Sequence, residues 1–150
     1  MTAKAILLVE DSAADVYLIK RAVQECGQDI QLWTMSDGAE ALQFLRKEYP
    51  LTYVPTPALI IVDLALPTMR GTEIISAIRQ LSTYRTTPIV VLSATPKDRE
   101  EQHCLHIGAT AYVQKSLANF SSYFTSIKAL VKHWLLPEGE REKEQSKGRG

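Results

Sequence analysis

The sequence predicts an α/β fold: a five-stranded parallel sheet with helices on both faces, doubly wound as (βα)5. Three observations point to it. Residues 5–9, 58–62 and 89–92 are short, continuous apolar runs of the kind that form strands buried on both sides. Segments with helical apolar spacing separate them. The strand-then-helix order repeats five times, which calls for parallel pairing through right-handed crossovers.

The elements follow in order. Residues 5–9 form the first strand. Residues 13–26 place Val16, Ile19 and Val23 on one helix side, and Gly27 can cap the end. Residues 30–35 are a weaker strand. Residues 37–48 open with Asp37 and Glu40, the spacing of a capping box. A long loop with three prolines, residues 49–57, leads to the strand at 58–62. Residues 71–81 carry Ile74, Ile75 and Ile78 at helical spacing. After the strand at 89–92, Thr95, Pro96 and Asp98 read as N-cap, first helical residue and first-turn acid. That helix offers only Cys104, Leu105 and Ile107 to a core and ends near Gly108. Residues 110–113 are the fifth strand, and a final helix spans about 117–135. The domain is expected to cover residues 1–136, with 137–150 a disordered charged tail.

The chain has 150 residues, enough for one well-buried core. Lys+Arg and Asp+Glu are both 17, so nothing favours nucleic acid or an anionic membrane as partner. No apolar stretch approaches the ~20 residues of a membrane span, and the N-terminus lacks the apolar core of a secretory signal. Cys26 and Cys104 show no metal-ligand spacing. A cytoplasmic protein is expected.

The chemistry gathers at strand ends. In a parallel sheet these share one rim, and neighbouring strands lie ~4.8 Å apart. The first strand ends at Glu10 and Asp11, the third at Asp63, the fourth at Ser93 and the fifth near Lys115. Converging carboxylates repel unless a cation joins them. An all-oxygen set suits Mg²⁺, which binds through one or two carboxylates plus a phosphate. For Asp11 and Ser12 a plain helix N-cap is the competing reading. Lys115 and Ser93, each taken alone, read as a surface lysine and a turn hydroxyl. His103 and His106 have no evident third ligand and read as solvated.

With the acid pair in VEDS, the aspartate of VDLALPTMRG, the hydroxyl of LSA and the lysine of YVQKS, the chain resembles a response-regulator receiver domain. That resemblance implies a flavodoxin-like sheet of order 2-1-3-4-5. It implies Asp63 as phosphoacceptor, with Asp11, Asp63 and the Ala65 backbone carbonyl as Mg²⁺ ligands and Glu10 acting through a water. Lys115 and Ser93 would meet the phosphoryl oxygens. Ser93 and Tyr112 would form the switch, the hydroxyl moving toward the phosphoryl as the aromatic turns inward. For Tyr112, an ordinary strand aromatic is the alternative.

Ser116 stands where most receivers have proline after the lysine, which puts the usual cis peptide in doubt. Arg70 stands where an acid is common. The proline-bearing loop, the KS pair and the aromatic last helix are similar to stand-alone receivers serving bacterial phytochrome-type histidine kinases. Phosphoryl would arrive from such a sensor kinase and the signal leave to a downstream protein the residues do not name. The last helix carries an apolar arc of roughly 140°, wider than the ~100° core stripe. Its surplus is either a thick core contact or a partner surface. Phe124, Val131 and Trp134 are the candidates for a homodimer face.

Two other functions compete. A phosphorylation-independent binding module on the same fold fits poorly with an intact set of acids, hydroxyl and lysine. A haloacid-type hydrolase needs an aspartate two residues after the nucleophile, where this chain has Ala65.

Overall fold

The computed structural model describes residues 4–27, 29–48, 54–116 and 118–136. The charged tail at 137–150, residues 49–53 of the long loop and the expected helix start at Leu117 lie outside the described residues.

Strands and helices alternate as the apolar patterning requires. The strands are β1 (Lys4–Val9), β2 (Ile30–Met35), β3 (Leu59–Asp63), β4 (Ile89–Ser93) and β5 (Ala111–Gln114). The helices are α1 (Ala13–Cys26), α2 (Gly38–Leu45), α3 (Gly71–Gln80), α4 (Lys97–Ile107) and α5 (Phe120–Leu135), with a 3-10 turn at Ser82–Tyr84. All strand pairs are parallel, in the order β2-β1-β3-β4-β5.

Period-two alternation sends successive side chains to opposite faces. Leu7, Val9, Ile60, Val62, Ile89 and Val91 pack with Phe44, Ile74, Ile78 and Cys104, so α2, α3 and α4 cover one face. Ile6, Leu8, Leu59, Ile61, Val90 and Leu92 pack with Ile19, Val23, Ile127 and Val131 from α1 and α5. This is why β1, β3 and β4 read as unbroken apolar runs.

Of the two N-cap candidates for α1, Ser12 takes the role: its Oγ accepts from Asp15 N at 3.3 Å. Several other local expectations are corrected. Asp37 caps α2 through Ala39 N at 2.7 Å, so no capping box closes on Glu40. That helix stops at Leu45 because Lys47 adopts φ 57, and Glu48 N then reaches back to Gln43 O at 3.0 Å. A lysine in the left-handed region carries no sequence signal. Pro96, not Thr95, occupies the N-cap position of α4, with no side-chain cap hydrogen bond, and the Thr95 N–H donates instead to Ser93 Oγ at 3.0 Å. Leu105 is 41% exposed, so α4 buries only Cys104, with Ile107 packed partly against the core. By contrast α3 buries Ile74, Ile75 and Ile78, each worth ~1.5–3 kcal/mol. The helix at the C-terminal end starts at Phe120, capped by Asn119 Oδ1 accepting from Ser122 N at 3.2 Å.

Val131 is also corrected as a dimer residue. It is fully buried in this chain's own core beneath α5, so it cannot meet a partner. Phe124 is partly buried against that core, and Trp134 stays 37% exposed. Among the described residues every peptide is trans, Lys115–Ser116 included.

Candidate functional site

Register builds the site. Val9 lies opposite Val62, so Glu10 and Asp63, each one residue further on, come out abreast on the rim. Ser93 lies opposite Gln114, which sets Lys115 just beyond β4, and Lys115 N donates to Ser93 O at 2.7 Å. Glu10, Asp63 and Ser93 are 2%, 3% and 4% exposed, buried polar groups at the ends of apolar strands. Asp11 is exposed beside them. One carboxylate oxygen from each of Glu10, Asp11 and Asp63 falls within 4.8 Å of the others.

Lys115 reaches into this cluster. Its Nζ lies 2.9 Å from Glu10 Oε2, 3.0 Å from Asp15 Oδ2 and 3.1 Å from Asp63 Oδ2. Hydrogen bonds form to Asp15 and Asp63. The Glu10 contact is an ion pair by distance alone and lacks hydrogen-bond alignment, so Glu10 Oε2 is buried without a donor. The other oxygens are occupied: Ser12 N donates to Glu10 Oε1 and Ala65 N to Asp63 Oδ1, both at 3.0 Å.

The electrostatics follow. Burial raises the Glu10 pKa from its ordinary 4.5 to about 7, helped by a hydrogen bond with Asp63 and opposed by Lys115. Burial alone would lower the Lys115 pKa, but Glu10, Asp15 and Asp63 together hold it above its ordinary value. One ammonium among four carboxylates leaves the site short of positive charge. A buried carboxylate oxygen without a donor, an all-oxygen set and excess negative charge together fit a hard divalent cation.

Ser93 and Tyr112 also meet, through a residue that sequence reasoning missed. Ser93 Oγ donates to Glu100 Oε2 at 3.0 Å. Tyr112 is 6% exposed, and its hydroxyl lies 2.7 Å from Thr95 O and 3.2 Å from Glu100 Oε2. The aromatic is therefore already turned inward. Asp15 and Tyr123 were missed as well: the Tyr123 hydroxyl donates to Asp15 Oδ1 at 3.2 Å and ties α5 to Lys115's second partner. Asp15 had a signal, since it lies one helical turn beyond Asp11 on the same acidic edge. Ser116, in place of the common proline, accepts from Asn119 N at 2.8 Å and shapes the entry to α5. His103 lines a groove with Glu100 and Arg70 and joins no metal cluster among the described residues.

This geometry is that of a receiver domain. The chain matches the response regulator receiver domain over residues 6–121 and belongs to that family. It is 31% identical over 132 residues to response regulator Rcp1 of Synechocystis sp., covering 88% of this chain and 89% of that protein. Among solved structures it is similar to the phosphorylated cyanobacterial phytochrome response regulator RcpA. There the TM-score is 0.82 at 34% identity, covering 90% of this chain and 96% of that one. The Mn(2+)-bound form of Rcp1 gives a TM-score of 0.79 at 32% identity, covering 89% and 95%. No helix among the described residues is long and apolar enough to cross a membrane.

Proposed function

We propose that this chain is a response-regulator receiver that accepts a phosphoryl group on Asp63 from a sensor histidine kinase. The observation that carries the reading is the meeting of Glu10, Asp11 and Asp63 with Lys115 on one rim. An O–P bond forms at the Asp63 carboxylate as the P–N bond of the donor phosphohistidine breaks, and the departing imidazole nitrogen takes up a proton. Asp11, Asp63 and the Ala65 carbonyl would hold Mg²⁺, with Glu10 reaching it through a water, and the bound cation would offset the repulsion between carboxylate and phosphoryl charge. Lys115 stays close to Asp63 to pair with a phosphoryl oxygen, and Ser93 turns its hydroxyl to another. Ala94 is small and leaves that side open. Tyr112 completes the switch by holding Thr95 O, fixing the loop after Ser93.

The likeness to RcpA supports a phytochrome-type kinase as donor. Weak self-catalysed phosphotransfer and dephosphorylation belong to this reading. So do a cytoplasmic setting, a domain spanning 1–136 with 137–150 as a charged tail, a downstream protein target and a homodimer built on Phe124 and Trp134.

Incubation with Mg²⁺ and acetyl phosphate tests the central step. The expected result is a mass gain of one phosphoryl that disappears with EDTA and in Asp63→Asn. No gain with any donor, a cognate kinase included, moves the reading to a phosphorylation-independent binding module.

A further inference from the structure

Glu100 sits where two hydroxyls end. Ser93 has a single hydroxyl proton, and the structure commits it to Glu100 Oε2 at 3.0 Å. The same oxygen lies 3.2 Å from the Tyr112 hydroxyl. One carboxylate on the first turn of α4 thus gathers β4 and β5.

We propose that Glu100 is a positioning residue that keeps the Ser93 hydroxyl committed to α4, so that a phosphoryl on Asp63 has to draw that proton away from it. The inference rests on the proposed phosphoacceptor function and deepens it. One proton cannot serve two anions fully, so the Ser93–Glu100 bond and a Ser93–phosphoryl bond exclude each other. The consequence reaches α4 because that helix buries only Cys104. With so little apolar burial, the polar tie to Glu100 is a large part of what docks it. A groove of about 440 Å³ beside Glu100 is lined by Ala65, Leu66, Arg70 and His103. It gives the released carboxylate room to swing, with the Arg70 cation on the same groove.

The test uses the full chain with Mg²⁺ and beryllium fluoride, a phosphoryl mimic, titrated by calorimetry. Glu100→Gln keeps the shape and weakens the acceptor, and Glu100→Ala removes it. Losing a charge-assisted hydrogen bond that opposes the phosphoryl-bound state tightens beryllofluoride binding about tenfold in Glu100→Ala and a few-fold in Glu100→Gln. In a Ser93→Ala background the same changes leave affinity within about twofold, because the contested proton is gone. A merely structural role for Glu100 predicts the same shift in both backgrounds, and that result overturns the proposal, as does no shift at all. A wild-type chain that takes neither beryllofluoride nor phosphoryl overturns the phosphoacceptor reading instead. Amide exchange of α4 in the unmodified protein then decides on Glu100: severalfold faster exchange in Glu100→Gln is expected, and unchanged exchange ends the proposal.

Discussion

Lys115 Nζ lies 3.1 Å from Asp63 Oδ2, although 52 residues separate them in the chain. The contact spans three adjacent strands, β3, β4 and β5, and makes one ammonium the main counter-charge to the acidic rim. Lys115→Met leaves buried Glu10 and Asp63 uncompensated. Without metal, the expected loss is about 3 kcal/mol of unfolding free energy, read from urea midpoints. Added Mg²⁺ recovers part of it, because a cation that binds only the folded state stabilises that state. Equal midpoints for the variant and wild type in EDTA would contradict the role assigned to this lysine.

Glu10 sets a pH dependence. Its pKa in the fold is about 7 against an ordinary 4.5. Between these values the folded protein keeps a proton that the unfolded chain has released. Stability therefore falls as pH rises through this window. In EDTA this group makes the protein about 2 kcal/mol less stable at pH 7.5 than at pH 5. The raised pKa of Lys115 adds nothing here, since its stabilisation is fully present below its ordinary 10.5. Glu10→Gln is expected to flatten the profile between the two pH values, and a steep profile persisting in that variant sinks the assignment.

Arg79 joins three segments away from the site. Its guanidinium donates to Gly108 O at 2.8 Å, Tyr84 O at 2.6 Å and Thr87 O at 2.7 Å. Gly108, at φ 123, presents its carbonyl there, and a Cβ on it would lie 2.7 Å from Arg79 Cγ. Arg79→Ala is expected to cost about 2–3 kcal/mol in urea unfolding. Arg79→Lys should restore less than half, since an ammonium cannot reproduce the planar fork.

Gly71 guards the loop behind Asp63. A Cβ there would stand 2.6 Å from Leu64 Cα and 2.7 Å from Asp63 O, both backbone atoms that cannot swing aside. Gly71→Ala is expected to lose about 2 kcal/mol of stability. Phosphoryl uptake from acetyl phosphate should slow as well, because the displaced loop carries Ala65 and the backbone of Asp63. Wild-type uptake in the variant would show that the loop tolerates the shift.

The two sides of α5 separate assembly from folding. Trp134→Glu is expected to lower the molar mass seen by light scattering if Phe124 and Trp134 form a dimer face. Equal masses count against that face. Val131→Ala should leave the mass unchanged and cost about 2 kcal/mol, because Val131 is fully buried in its own chain.

Residues 13–26 and 30–35 were legible to the residue, and the other strands to within one position at each end. Continuous apolar runs and a capped amphipathic helix are local signals. Asp63 and Ser93 were legible because each directly follows such a run, Asp11 because it lies two residues past one, and Lys115 because it follows the weaker fifth strand. The left-handed turn at Lys47 was not, since glycine is the residue that usually marks one. Val131 was misjudged because an apolar arc shows how wide a stripe is, not how far β-strands and α1 cover it.

Sequence alone determined the α/β alternation, the acids and lysine of the rim, and the family, since each is written in residue type and spacing along one chain. Tertiary structure decided that Lys115 takes Asp15 as a partner, that Tyr123 holds Asp15, and that Glu100 binds both Ser93 and Tyr112. Those contacts join helix faces to strand ends and to one another. They depend on how elements rotate and pack against the sheet, and a one-dimensional pattern carries no record of that angle.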